Sequence, residues 1–195
     1  QAAYEYWDDK LGFYTPILKG FFFLLGLEAA NHGMQVFGGH GYIKEWGMEQ
    51  IARDARISTL YEGTTGVQAL DLLGRKTLLT GKGKPVRDFT KEIALFAKDL
   101  VMTSGMRGMG AQLLKYSAQW NILTTRIMLT AAKDRDVVSS ASNDFLMYSG
   151  YVSMAYFWAQ MAKVAAEKLK GSDLNTNERA FYEAKVQTAE FYFER

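Results

Sequence analysis

The chain has 195 residues, 48% of them apolar, with 23 Lys and Arg against 21 Asp and Glu. That is enough apolar material for a sizeable core, and a net charge of +2 gives no reason to expect nucleic acid or an anionic membrane as main partner. Cysteine is absent, which excludes a disulfide framework, a zinc–thiolate site and a thiol nucleophile and is compatible with a reducing, cytoplasmic location.

Only two prolines interrupt a chain rich in Ala, Leu, Met, Gln and Lys, so helix is favoured throughout. The opening QAAYEYWDD has neither a basic segment nor an apolar core, so no signal peptide is visible. Gln rather than Met at position 1 suggests a piece of a longer chain. The longest apolar stretch, 21–27, is broken by Gly26 and flanked by Lys19 and Glu28. It falls short of the roughly 20 residues a bilayer requires; a buried helix is expected and no membrane span.

Thr15-Pro16 reads as an N-cap followed by Pro at the first helical position, opening a helix that runs through Phe37. Gly38-Gly39 stops it. HGYIKEWG follows as a loop, MEQIARDAR as a short amphipathic helix, and residues 57–64 as an irregular turn. Thr65 and Gln68 have the spacing of a capping box, so a helix is expected from about Gly66. Gly81-Lys82-Gly83-Lys84-Pro85 is the clearest break, and divides the chain into domains at 1–81 and 86–195. The second half predicts helices at 86–104, 107–135, 143–170 and 177–194, with Asn143 and Asn177 as N-caps and Gly171 as a stop. YVSMAYFWAQMAKVAAEKL reads as bundle core. The fold class is all-α: one helical bundle followed by a second.

Most chemical motifs fail on spacing. His32 and His40 are eight apart, so no helical metal pair forms and no metal site is expected. Gly38-Gly39-His40-Gly41 follows a helix rather than a strand, and so is no dinucleotide fingerprint. GKGKP lacks P-loop spacing, and no serine has a local His partner. Asp8-Asp9, Asp134 and Asp136 read as solvated faces. Glu62 differs in context: it lies between Leu60-Tyr61 and a Gly-Thr-Thr-Gly turn, ahead of a helix. Small residues let a ligand approach the backbone, and amides at a helix start can meet an anion or a polar cofactor edge. A carboxylate partly shielded by Tyr61 suits a general base. An acid entering a helix and favoured by its dipole explains the same residue, and spacing leaves both readings open.

The segment MQVFGGHGYIKEWGMEQIARDARISTLYEGTTGVQALDLLGRK, residues 34–76, resembles the C-terminal signature of the acyl-CoA dehydrogenases. It joins QxFGGxGY, RDAR and YEGT-x-G-x-Q in the family's order and at its distances. The GRK and the long helical tail resemble the larger bacterial members, including those acting on methylthiopropanoyl-CoA and on longer acyl chains. The resemblance implies an FAD-dependent oxidation of an acyl-CoA thioester to a trans-2-enoyl-CoA. Glu62 would be the base that removes the α-proton, while a hydride leaves the β-carbon for the flavin. Gly63 would lie against the substrate. Gln35, Gly38 and Gly39 would touch the adenosine-diphosphate part of FAD held by a neighbouring subunit, and Thr64 and Gly66 would also contact FAD, Gly66 through backbone alone. Arg53, Asp54 and Arg56 would hold the turn that presents Glu62. Arg75 is one position out of register with a substrate-side Arg of some relatives, and no role passes to it.

A homodimer or homotetramer and an electron-transfer flavoprotein are the partners the family implies. The family's N-terminal helical domain and flavin-holding β-domain have no counterpart in this chain, so it is not expected to bind FAD or turn over alone. An acyl-CoA oxidase would use the same glutamate and pass electrons to oxygen. A non-catalytic helical assembly module is the reading from another class; Glu62 within an intact YEGT argues against it.

Overall fold

In the computed structural model, residues 2–194 are described, and they contain helices and no strand. In chain order the helices are α1 (Ala2–Ile17), α2 (Phe23–Val36), α3 (Met48–Ser58), α4 (Thr65–Leu70), α5 (Lys84–Met102), α6 (Arg107–Ala131), α7 (Asp136–Leu169) and α8 (Thr176–Glu194). A π-helical turn at Leu18–Phe22 joins α1 to α2, and a π-helical stretch at Asp71–Thr80 continues α4. By packing, the chain divides into two units. One comprises the residues up to Pro85 together with Arg126–Gly150; the other comprises Val86–Thr125 and the residues from Tyr151 onward.

In the first unit Pro16 does not open a helix; it lies inside α1. Proline removes one backbone donor and crowds the carbonyl four residues earlier. The chain answers with the π turn that begins two residues later, and the Thr15 hydroxyl donates back to the Leu11 carbonyl at 2.8 Å. The helix therefore runs on from Ala3 to Val36, long and apolar enough by length and composition to cross a membrane. Counting only the unbroken apolar run had concealed that length. Phe13, Ile17 and Phe21 of this helix are buried in the unit's core with Ala69, Leu72, Leu73 and Leu146. Two glycines permit the close approach. A Cβ on Gly20 would lie 2.6 Å from a Leu146 methyl, and a Cβ on Gly150 would enter the Phe21 ring.

The second unit takes its core from one face of α5: Val86, Phe89, Ile93, Ala97 and Leu100 are buried, at the three- and four-residue steps of a helical stripe. Phe89 meets Trp120 of α6 edge-on at 5.9 Å between centroids and Tyr156 of α7 at 5.7 Å. A Cβ on Gly110 would lie 2.8 Å from the Ala97 carbonyl oxygen, so α5 and α6 approach closely there. The aromatic run of α7 is only half core: Tyr156, Ala159 and Ala162 are buried, while Phe157, Met161 and Val164 are exposed.

The caps differ from the predicted ones. Asn143 lies inside α7, which starts at Asp136, where the Asp134 carboxylate accepts the Asp136 N–H at 2.9 Å. Asn175, not Asn177, caps α8: its side chain accepts the Glu178 N–H at 3.0 Å, and Glu178 accepts the Asn175 N–H at 3.0 Å. That reciprocal pair is a capping box, and it outcompetes a lone asparagine two residues later.

Candidate functional site

The site is built on the loop between α3 and α4. The amphipathic α3 ends at Ser58, and Thr59 is buried beneath the chain's turn. The Arg56 guanidinium donates to the Thr59 hydroxyl at 2.7 Å. Arg53 and Asp54 stay on the helix: Arg53 pairs with Glu49 at 2.7 Å and with Gln50 at 2.5 Å, and Asp54 accepts from Gln50 at 2.7 Å. Within RDAR, therefore, Arg56 is the residue whose side chain reaches the loop. Arg75 forms a two-pronged pair with Asp71, which holds its guanidinium above its ordinary pKa through that hydrogen bond and charge.

Glu62 has φ +54° and Gly63 has φ +95°. A left-handed backbone costs an L-residue other than glycine roughly 1–2 kcal/mol, so the loop keeps a glutamate where glycine would be easier. Thr64 then turns extended, and α4 begins at Thr65. The predicted capping box from Thr65 to Gln68 does not form. Thr64 is the N-cap and makes no side-chain cap bond, while Gln68 reaches back past it to donate to the Glu62 carbonyl at 3.3 Å. The left-handed pair at 62–63 brings that carbonyl within reach, and a Cβ on Gly63 would strike the same Gln68 amide.

The carboxylate of Glu62 is exposed, and among the described residues it takes no hydrogen bond or ion pair. Tyr61 does not shield it, because the Tyr61 ring lies against the Lys19 ammonium, 4.6 Å from its centroid. Lys19 sits on the π turn, also 4.6 Å from the Phe23 centroid, and donates to the Ser58 carbonyl. In the sequence Lys19 marks only the end of an apolar run. The Ser58 carbonyl lies 39 residues away along the chain, beyond any local pattern.

Gln35, Gly38 and Gly39 form a second exposed patch at the end of α2 and in the 3-10 turn Gly38–Tyr42. Gly38 has φ +62°, which favours glycine. Gly39 and Gly66 have neither a left-handed φ nor any neighbouring atom within 4 Å of the point where a Cβ would stand. Nothing among the described residues requires their lack of a side chain. The two patches sit on separate segments joined through α3, which packs against α2 and leads into the Glu62 loop. Among the described residues no three His, Asp or Glu side chains gather as a metal-binding group.

Comparison with known proteins places both halves. The family described as "Acyl-CoA dehydrogenase, C-terminal domain" matches residues 7–77, and that described as "Acetyl-CoA dehydrogenase C-terminal like" matches residues 89–195. The chain is 36% identical over 182 residues to 3-methylmercaptopropionyl-CoA dehydrogenase of Ruegeria pomeroyi, covering 92% of this chain and 30% of that protein. It is 29% identical over 194 residues to a butyryl-CoA dehydrogenase of Syntrophomonas wolfei, covering 98% and 31%. Over 47 residues it is 45% identical to the Caffeyl-CoA reductase-Etf complex subunit CarC of Acetobacterium woodii, covering 24% and 12%. The chain thus spans about 30% of the length of the first two relatives.

Proposed function

The chain belongs to the acyl-CoA dehydrogenase family, as its C-terminal domain and the C-terminal-like region that follows, and from that premise we propose that it supplies the catalytic base of an FAD-dependent acyl-CoA dehydrogenase. Glu62 is that base. It takes the α-proton of the acyl-CoA thioester and ends as the carboxylic acid. When bound, FAD supplies the acceptor for the hydride that leaves the β-carbon, and a trans-2-enoyl thioester results.

The observation that carries this reading is the conformation of Glu62: left-handed, exposed and unpaired. Residues held in sparsely populated backbone regions cluster at functional sites. A helix-entry acid has no need of that backbone. Gly63, with no side chain, lets the thioester lie against the loop. An amide here can donate to the thioester carbonyl as charge develops on it, which is oxyanion-hole chemistry. Gln35, Gly38, Gly39, Thr64 and Gly66 are the residues that would hold FAD. The open space above Gly39 and Gly66 fits a group that must come close to backbone. Contacts from Gln35, Gly38 and Gly39 to a neighbouring subunit's FAD imply a dimer or tetramer, and an electron-transfer flavoprotein is the proposed acceptor.

The test is flavin bleaching in the full-length protein carrying these residues, mixed anaerobically with a panel of acyl-CoAs. Wild type is expected to bleach with a subset of the panel, while Glu62→Gln binds the same thioesters without bleaching. Equal bleaching rates would remove Glu62 from the role of base.

A further inference from the structure

Lys19 holds the stretch leading into Glu62 at two points. Its ammonium donates to the carbonyl of Ser58, the last residue of α3. Carbonyls at a helix C-terminus lack intrahelical donors and carry the negative end of the dipole, so a cation there meets two needs at once. The same ammonium lies between the rings of Phe23 and Tyr61, each 4.6 Å from it. A cation over an aromatic face is attracted by the ring's negative centre. Tyr61 immediately precedes Glu62, so the three residues between Ser58 and Glu62 are anchored at each end by one side chain.

The anchor itself is backed from behind. Lys19 lies on the π turn Leu18–Phe22. The next residue, Gly20, abuts Leu146 of α7, and the Phe21 ring covers Gly150 of α7. Leu146 is fully buried and Phe21 nearly so. α7 belongs to the segment matched as "Acetyl-CoA dehydrogenase C-terminal like". A packed path therefore runs from that segment through the π turn and Lys19 to the residue before Glu62.

Resting on Glu62 as the base, we propose that Lys19 is a positioning residue that fixes the loop carrying it, and that α7 of the C-terminal-like region acts as the brace for that anchor. Lys19 touches neither substrate nor flavin in this role. Its effect falls on the rate of proton abstraction and not on thioester binding.

The test compares Lys19→Met and Lys19→Arg in the full-length flavin-loaded protein, with Glu62→Gln alongside. Methionine keeps the length and apolar stem but loses the charge and the donor. The expected result for Lys19→Met is a flavin-reduction rate per bound FAD lower by about 10- to 100-fold, the cost of a misplacement on the order of 1 Å, with the KM for the thioester unchanged. Lys19→Arg, which keeps charge and donor, is expected to recover most of the rate. A wild-type rate in Lys19→Met, or equal losses in Lys19→Met and Lys19→Arg, overturns the inference. If Glu62→Gln is silent while Lys19→Met runs at the wild-type rate, the base stands and the anchor falls; if Glu62→Gln bleaches normally, the base itself falls. Should Lys19→Met fail to fold or to retain FAD, Tyr61→Leu serves in its place, leaving the Lys19 bond to Ser58 intact. A smaller loss of rate at unchanged KM is expected there, and an unchanged rate overturns the anchor.

Discussion

Replacing Glu62 by glycine and, separately, by valine measures what the loop spends to present a carboxylate. Glu62 has φ +54°, a region that costs an ordinary L-residue roughly 1–2 kcal/mol. Glycine escapes that cost but gives up about 0.5–1 kcal/mol more conformational entropy on folding. The net expectation for Glu62→Gly is a gain of about 0.5–1 kcal/mol, since no side-chain hydrogen bond or ion pair of Glu62 is lost among the described residues. At about 2–4 °C per kcal/mol for a chain of this size, the melting temperature rises by about 1–4 °C. Valine, β-branched and poorly tolerated at positive φ, is expected to lose about 1–3 kcal/mol. Urea unfolding followed by circular dichroism gives both values, and neither variant reduces flavin. The two variants should straddle the wild type. If valine is as stable as glutamate, or glycine is less stable, the backbone at 62 is not held left-handed and carries no strain.

Two glycines in helices respond to alanine in opposite directions. Gly150→Ala places a methyl group in the Phe21 ring, and overpacking of about 1–3 kcal/mol outweighs the gain in helix propensity; Gly108→Ala in α6 meets open space and gains about 0.5–1 kcal/mol. Thermal unfolding of the pair checks the signs. Tyr156 is pushed up to about 12 by burial first, then by the Glu92 carboxylate nearby and its hydrogen bond. Its phenol stays protonated in the folded chain while an unfolded one ionises near pH 10, so this residue's contribution to stability is full below pH 10 and falls as pH rises to about 12. Ultraviolet titration should show both Tyr156 and the half-buried Tyr192 lagging, and Glu92→Gln should move only the Tyr156 step to lower pH.

Local pattern revealed much of this fold. The amphipathic spacing of MEQIARDAR marks α3, the helix expected at 86–104 is α5, and Gly171 falls two residues after α7 ends. Errors came where two local signals competed. Thr15-Pro16 looks like a helix start, but the buried face at Phe13, Ile17 and Phe21 spans the proline and carries the helix through it. Asn177 and Asn143 are good cap residues in isolation, yet Glu178 pairs back to Asn175 and Asp134 caps α7 nine residues before Asn143. At the site, the linked motifs picked out Glu62 and its glycines, but nothing local could show a left-handed glutamate. Arg56 reads with Arg53 and Asp54 as one structural group, and the fold separates them. Lys19 stayed hidden because its role exists only once the π turn faces the end of α3.

The π turn also stores a phase. A π turn is an α-helix carrying one residue more than its hydrogen bonds require. Each residue of an α-helix advances its neighbours by about 100°. Deleting one residue between Leu18 and Phe22 would restore a regular helix and swing everything before it by that angle relative to α2. Lys19 could then no longer face Ser58 and Tyr61 while Phe13 and Ile17 stayed in the core. The single surplus residue is thus a phase setting between two faces of one helix, one for packing and one for the glutamate loop, and a lineage that lost it would have to rebuild one of them.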